Sequence, residues 1–319
     1  MNKISIALIG LLLTMAACNK SNVKETPNGF KFTVVKAGDG VLAKPNEILV
    51  FDFTMKDSKD SVWQETYKMG MPAAVMIADT SALKTENGMV QMFRQLSKGD
   101  SVVAEMPVLK FFKDIVNGPL PKTIDSTLNI SYLIKVTDIT TRESYMAKQQ
   151  ELMTKKQAEQ LTKDIEIIDK YLADKGIKAE KTESGIRYVI TQPGSGEKAA
   201  AGQNVKVNYT GYLLDGKYFD TSIKTLAQEK GLYDARREPY TPFELVIERS
   251  NVIKGWHEAL KLMNKGSKGT FYIPSTLGYG PQRASEVIGE NSVLVFDIEM
   301  LDVTQPKDQE NADAPSPKK

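Results

Sequence analysis

The 319-residue chain has one cysteine, Cys18, and one histidine, His257. Ser-His-Asp catalysis has little material here, and a Cys/His zinc site has none. A single cysteine also leaves no disulfide within the chain, so the fold must be held by its core. Net charge is only +2, which supports neither a nucleic-acid nor an acidic-partner reading. Beyond the first residues, no apolar run is long enough to span a membrane. What remains is ordinary for a soluble globular protein: 41% hydrophobic and 26% charged residues, in a length that suits two or three domains.

The first residues have the pattern of a secretion signal. Lys3 precedes an almost wholly apolar run over 4–15, and the small residues Ala16 and Ala17 lead to Cys18. That run is short for a transmembrane helix. Met15-Ala16-Ala17-Cys18 resembles the lipobox of bacterial lipoproteins, which are cleaved before the cysteine and lipidated on it. The resemblance implies a signal peptide at 1–17, membrane attachment through lipidated Cys18, and a place in the cell envelope. The competing reading is an ordinary cleaved signal with a chance cysteine. It is disfavoured because the sole cysteine falls at the lipobox position.

Residues 18–27 are polar and read as a tether to a globular region at 28–140. Residues 141–180 are rich in Lys, Gln and Glu, and read as a helical linker that stops at Gly176. Leu161, Ile165, Ile168 and Leu172 share one face of that helix. Such a face needs cover, so self-association into a homodimer through 141–175 is expected, or else a rigid spacing of two domains. A second globular region occupies 181–304. The tail 305–319 is Pro- and charge-rich and is expected to be disordered. There is also an internal repeat. Residues 28–66 align without gaps on 184–222, 86–107 on 253–274, and 127–140 on 291–304. A duplicated fold explains three such blocks better than two unrelated β-rich domains do.

Four strings in the second region carry the chemistry: VKVNYTGYLLDGKYFDTS at 205–222, VIKGW at 252–256, GYG at 278–280 and VLVFDIEML at 293–301. All four contain aromatic residues, and none holds a nucleophile–base pair. Strands are expected at 186–191, 205–212, 243–247, 270–273 and 293–301. A short helix around 255–263 would bury Trp256, Leu260 and Met263. In this order and spacing the strings resemble the FKBP-type peptidyl-prolyl cis-trans isomerases. The resemblance implies an α+β fold of two FKBP-like domains, each an antiparallel half-barrel sheet wrapping one short helix, joined by the long helical linker.

It also implies a site and an activity. Trp256 would floor a proline pocket walled by Tyr209, Phe219, Phe243 and Phe296. Val252 and Ile253 would lead into the helix, with the Ile253 backbone N–H and the Tyr279 hydroxyl each binding a substrate carbonyl. Asp220 would be a buried carboxylate beside the proline, and Ile288 an apolar residue on the flap. Tyr209, Asp220, Trp256 and Tyr279 are the expected catalytic positions. Several of these have a plainer reading as core, and Asp220 as a turn residue. His257 reads as a solvated surface residue. Where some relatives have a flap histidine, this chain has Ala284, and residues 223–241 are inserted before Pro242.

In the first region the same positions are Phe53, Trp63, Gln64, Glu86, Met89 and Phe112. The carboxylate and the tyrosine hydroxyl are gone, so a folded, catalytically weak copy is expected. The implied function is isomerisation of X–Pro bonds in exported proteins, with proline-containing polypeptides as partners and no metal or organic cofactor. The competing classes are a non-catalytic chaperone that uses the same slot, and a structural envelope lipoprotein.

Overall fold

The computed structural model describes residues 22–305. The expected signal peptide, Cys18 and the tail beyond Gln305 lie outside the described residues. The chain divides into two compact units within its long helix, one up to Gln150 and one from Glu151.

The first unit is built on a seven-stranded antiparallel sheet. Its strands are β1 (Val23–Glu25), β2 (Lys31–Lys36), β3 (Ile48–Asp57), β4 (Val62–Glu65), β5 (Ala73–Met76), β6 (Ser101–Pro107) and β7 (Asn129–Thr140). They run in the order β1-β2-β6-β7-β3-β4, with β5 also paired to β3. The second unit has β8 (Glu180–Lys181), β9 (Arg187–Gln192), β10 (Ser195–Lys198), β11 (Asn204–Leu213) and β12 (Tyr218–Thr221). It continues with β13 (Phe243–Val246), β14 (Asn264–Lys265), β15 (Lys268–Ile273) and β16 (Leu294–Thr304). Its main sheet reads β8-β9-β15-β16-β11-β12, with β13 on β11; β10 and β14 form a separate ribbon.

The two orders are one order repeated, and the register repeats with them. Ile48 faces Thr140 as Asn204 faces Thr304, and each pair of strands bulges two residues on, between Val50 and Phe51 and between Lys206 and Val207. A bulge kept at the same step in the same ladder is a mark of a duplicated domain. In β11, Val205, Val207 and Tyr209 are buried and alternate with the less buried Lys206 and Asn208. That period of two turns one sheet face to a core. The helix Lys254–Lys261 buries Trp256, Ala259 and Leu260 against it.

One boundary and one helix face differ from the sequence reading. Val23–Glu25, read as tether, pairs with β2. A turn closes this hairpin: the Phe30 N–H donates to Thr26 Oγ1 at 3.0 Å, and Gly29 takes φ +81°. The other concerns the long helix Arg142–Asp174, which stops before Gly176 at φ +66°. Its apolar face is covered by its own chain. Ile168 and Leu172 are buried with Tyr272, Val293 and Val295, and Leu161 and Ile165 crowd Gly185. Asp169 takes both Nε and Nη2 of the buried Arg187, at 2.7 and 2.9 Å. The face that suggested a homodimer is therefore spent inside the second unit. Burying each such side chain is worth about 1.5–3 kcal/mol.

The repeat explains why, among the described residues, the second copy alone has this cover. Tyr272, Val293 and Val295 correspond to Glu105, Asn129 and Ser131. In the first unit this outer surface is polar, and Asn129 and Glu105 are exposed. Next to it runs an open groove of about 510 Å³ along Gly29, Asn87, Glu105 and Lys110. It lies apart from the aromatic slot.

Candidate active site

The second unit gathers every nominated pocket residue around one cavity of about 430 Å³. Tyr209, Phe219, Asp220, Phe243, Val252, Ile253, Trp256, Tyr279, Ile288 and Phe296 all line it, with Asn251, Ala284 and Ser285. The buried Trp256 ring lines it. Tyr209, Phe296 and Phe243 meet that ring edge-on, at centroid distances of 5.0, 5.3 and 5.8 Å. Such perpendicular packing is favourable for aromatic rings. Phe219 stands edge-on to Phe296 at 5.5 Å. Gly211 makes this wall possible, because a Cβ there would lie 2.4 Å from the Phe219 ring.

The polar groups sit at the rim. Tyr209 Oη donates to Asp220 Oδ2 at 2.6 Å, and Arg237 Nη1 donates to Asp220 Oδ1 at 2.5 Å. Burial and then the Asp220 carboxylate push the Tyr209 hydroxyl well above the usual tyrosine range. Burial opposes the charge on Arg237, yet its bond to Asp220 keeps that guanidinium above its ordinary value. Arg237 also lies over the Tyr240 ring, 5.2 Å from its centroid. The insertion at 223–241 therefore supplies a cation to the site, a role its sequence does not signal. With this exposed partner the Asp220 side chain is 40% exposed, not the buried carboxylate expected.

Two hydrogen-bonding groups are left open. Ile253 immediately precedes the helix Lys254–Lys261. Its backbone N–H and the Tyr279 hydroxyl have no partner among the described residues. Tyr279 is 43% exposed at the mouth. Opposite it, Ser285 Oγ accepts the Ile288 N–H at 3.0 Å, a tight turn that folds the buried Ile288 over the cavity.

His257 differs from its sequence reading as a solvated residue. It is half-buried, Nδ1 accepts the Glu248 N–H at 3.0 Å, and Nε2 lies 3.1 Å from the Ser250 carbonyl. Both ring nitrogens pin the loop that leads to Val252, and neither is available for proton transfer.

In the first unit the slot is filled rather than empty. The Gly278-Tyr279-Gly280 turn is replaced by Phe111-Phe112-Lys113, on the helical stretch 108–116. The buried Phe111 sits 6.2 Å from both Trp63 and Tyr132, the latter standing where Phe296 does. Glu86, at the Ile253 position, donates its backbone N–H to the Ala82 carbonyl at 3.1 Å. Its carboxylate holds Arg94 at 2.6 and 2.7 Å. Register places Ala73 where the second unit has Phe243.

Residues 195–301 match the family of FKBP-type peptidyl-prolyl cis-trans isomerases. A probable FKBP-type peptidyl-prolyl cis-trans isomerase of Haemophilus influenzae is 42% identical over 137 residues, 42% of this chain and 50% of the relative. The FKBP-type isomerase FkpA of Aeromonas hydrophila is 39% identical over 173 residues, 53% of this chain and 58% of the relative. The outer membrane protein MIP of Legionella longbeachae is 35% identical over 162 residues, 49% of this chain and 62% of the relative. The chain spans about half the length of these curated relatives.

Proposed function

We propose that this chain, whose residues 195–301 form a domain of the FKBP-type peptidyl-prolyl cis-trans isomerase family, catalyses X–Pro isomerisation at the second-unit cavity. One observation carries the reading. An aromatic cavity has an open N–H and an open hydroxyl at its mouth, while its one carboxylate, Asp220, is already held by Tyr209 and Arg237.

The reaction asks for little else. Rotation about an X–Pro bond costs ~18–20 kcal/mol because amide resonance is lost. Uncatalysed, it takes tens to hundreds of seconds. The twisted imide has less charge separation than the planar one and loses less on leaving water. Trp256 and the rings of Tyr209, Phe219, Phe243 and Phe296 offer the dry cradle. The Ile253 N–H and Tyr279 Oη each take a substrate carbonyl. Asp220, held by Tyr209 and Arg237, fixes the dipoles facing the ring. Holding a chain without turnover would need only the apolar cradle. The polar groups at the mouth favour the isomerase.

The test is a peptide isomerisation assay on the full chain. Tyr279→Phe deletes one hydrogen bond, worth ~0.5–1.5 kcal/mol, so kcat/KM should fall about tenfold or less with the fold retained. An unchanged rate would remove Tyr279 from the site.

The pH profile is a second test. No proton is transferred, and the Tyr209 hydroxyl stays a donor to Asp220 beyond the ordinary tyrosine pKa of about 10. The rate should hold level from neutrality to pH 9. A bell-shaped curve in that interval would indicate acid–base catalysis.

The cellular role extends this reading. A lipidated Cys18 at the mature N-terminus would hold the enzyme in the cell envelope, where exported proteins fold. The lipobox-like Met15-Ala16-Ala17-Cys18 and the relative named an outer membrane protein support it. Two or three acyl chains would anchor it firmly, since a single chain binds only marginally. Mass spectrometry of the native N-terminal peptide tests this. An unmodified peptide that begins elsewhere would overturn both anchor and location.

A further inference from the structure

The apolar face of the long helix is interrupted by one carboxylate, and that carboxylate is fully buried. Asp164 is 0% exposed. Its Oδ2 accepts the Ser275 N–H at 2.8 Å and the Ser275 hydroxyl at 2.6 Å, and its Oδ1 accepts Gln160 Nε2 at 2.7 Å. A buried carboxylate tolerates this setting only because it is so fully bonded.

Ser275, also 0% exposed, is the hub of the next loop. Its carbonyl accepts the Gly278 N–H at 2.9 Å and the Gly280 N–H at 2.8 Å. Those glycines flank Tyr279. The Gly280 carbonyl in turn accepts the Asn291 N–H at 2.7 Å. An unbroken chain of hydrogen bonds therefore runs from the helix through Ser275 to the turn that carries the Tyr279 hydroxyl. The first unit supplies the contrast. There the Ser275 position is Val108, which has no hydroxyl and donates its N–H to the Leu128 carbonyl, and the turn is the helical stretch that fills the slot.

We propose that Asp164 is a positioning residue for Tyr279, which makes the long helix part of the catalytic unit rather than a spacer. Asp164 lies outside residues 195–301, the stretch that matches the isomerase family. The proposal rests on the reading of the second-unit cavity as an isomerase site.

The experiment uses the full chain with Asp164→Ala, Asp164→Asn, Tyr279→Phe and the Asp164→Ala/Tyr279→Phe double variant. Asp174→Ala, on an exposed helix turn, is the control. Asp164→Ala should lower kcat/KM about three- to tenfold, because a misplaced group loses its orientation advantage. Asp164→Asn, which can still accept from Ser275, should recover part of the loss, and Asp174→Ala should match wild type.

In the Tyr279→Phe background, the Asp164→Ala loss should shrink to less than about twofold, since coupled residues are non-additive. Equal losses in both backgrounds, or no loss in either, would overturn the proposal. A second readout is independent of turnover: the amide resonances of Gly278 and Gly280 should shift in Asp164→Ala and Asp164→Asn but not in Asp174→Ala. If the wild-type chain proves inactive, the isomerase reading fails and these resonances alone decide. Unmoved resonances would refute the positioning role. Should Asp164→Ala not fold, Asp164→Asn and Ser275→Ala carry the same two readouts.

Discussion

Expressed alone, the first unit should leave X–Pro isomerisation at its uncatalysed rate, while residues 151–305 should accelerate it as the full chain does. The uncatalysed step takes tens to hundreds of seconds, so the contrast will be plain in a peptide assay. The cause lies in four replacements that act together. Phe111 fills the slot between Trp63 and Tyr132. Glu86 spends its N–H on Ala82. Gln64 stands where Asp220 does, and Phe112 has no hydroxyl. Restoring one of them leaves the others in place, so single reversions in the first unit should stay inactive. Comparable turnover by the two units would mean that the filled slot opens in solution, and the division of labour would be lost. The longer second fragment matters: a piece that begins at residue 181 lacks Asp164 and should be slower than one that begins at 151.

Replacing Trp256 by alanine should have the largest effect of any single substitution in the second unit. Trp256 is 5% exposed, and three rings pack on it edge-first. Truncating a buried aromatic costs ~3–5 kcal/mol. For a domain of this size that is a fall in Tm of roughly 10 °C or more. Part of the cavity lining goes with it, so kcat/KM should drop further than in Tyr279→Phe. Trp256→Phe keeps a ring and should restore most of the stability and part of the rate. If Trp256→Ala melted within a degree or two of wild type, the indole would not be the floor of the core.

Much of this was legible in the sequence, and the parts that were not share a cause. The pocket residues sit in short strings whose spacing is set by local strand and turn geometry. The repeat could be read because turns such as Lys98-Gly99 and Lys265-Gly266 recur in step with the strands. Arg237 was missed because it reaches Asp220 from an insertion with no pattern of its own. The cover over Leu161, Ile165, Ile168 and Leu172 was missed because helix periodicity shows that a face is apolar, not what lies on it. A signal was available in the repeat, where Tyr272, Val293 and Val295 replace Glu105, Asn129 and Ser131. His257 was misread because its partners are backbone groups of a loop, which leave no trace in side-chain pattern.

The most direct test is two-dimensional exchange NMR on a short X–Pro peptide mixed with the isotopically labelled full chain. It records the cis–trans rate of the peptide and the shifts of the Trp256 indole and the Ile253 and Gly280 amides in one sample. An isomerase site in the second unit requires accelerated exchange between the peptide's cis and trans signals, with the perturbed protein resonances confined to that cavity. Binding at Trp256 with the peptide still exchanging at its uncatalysed rate would contradict it, and would make the cavity a holding site.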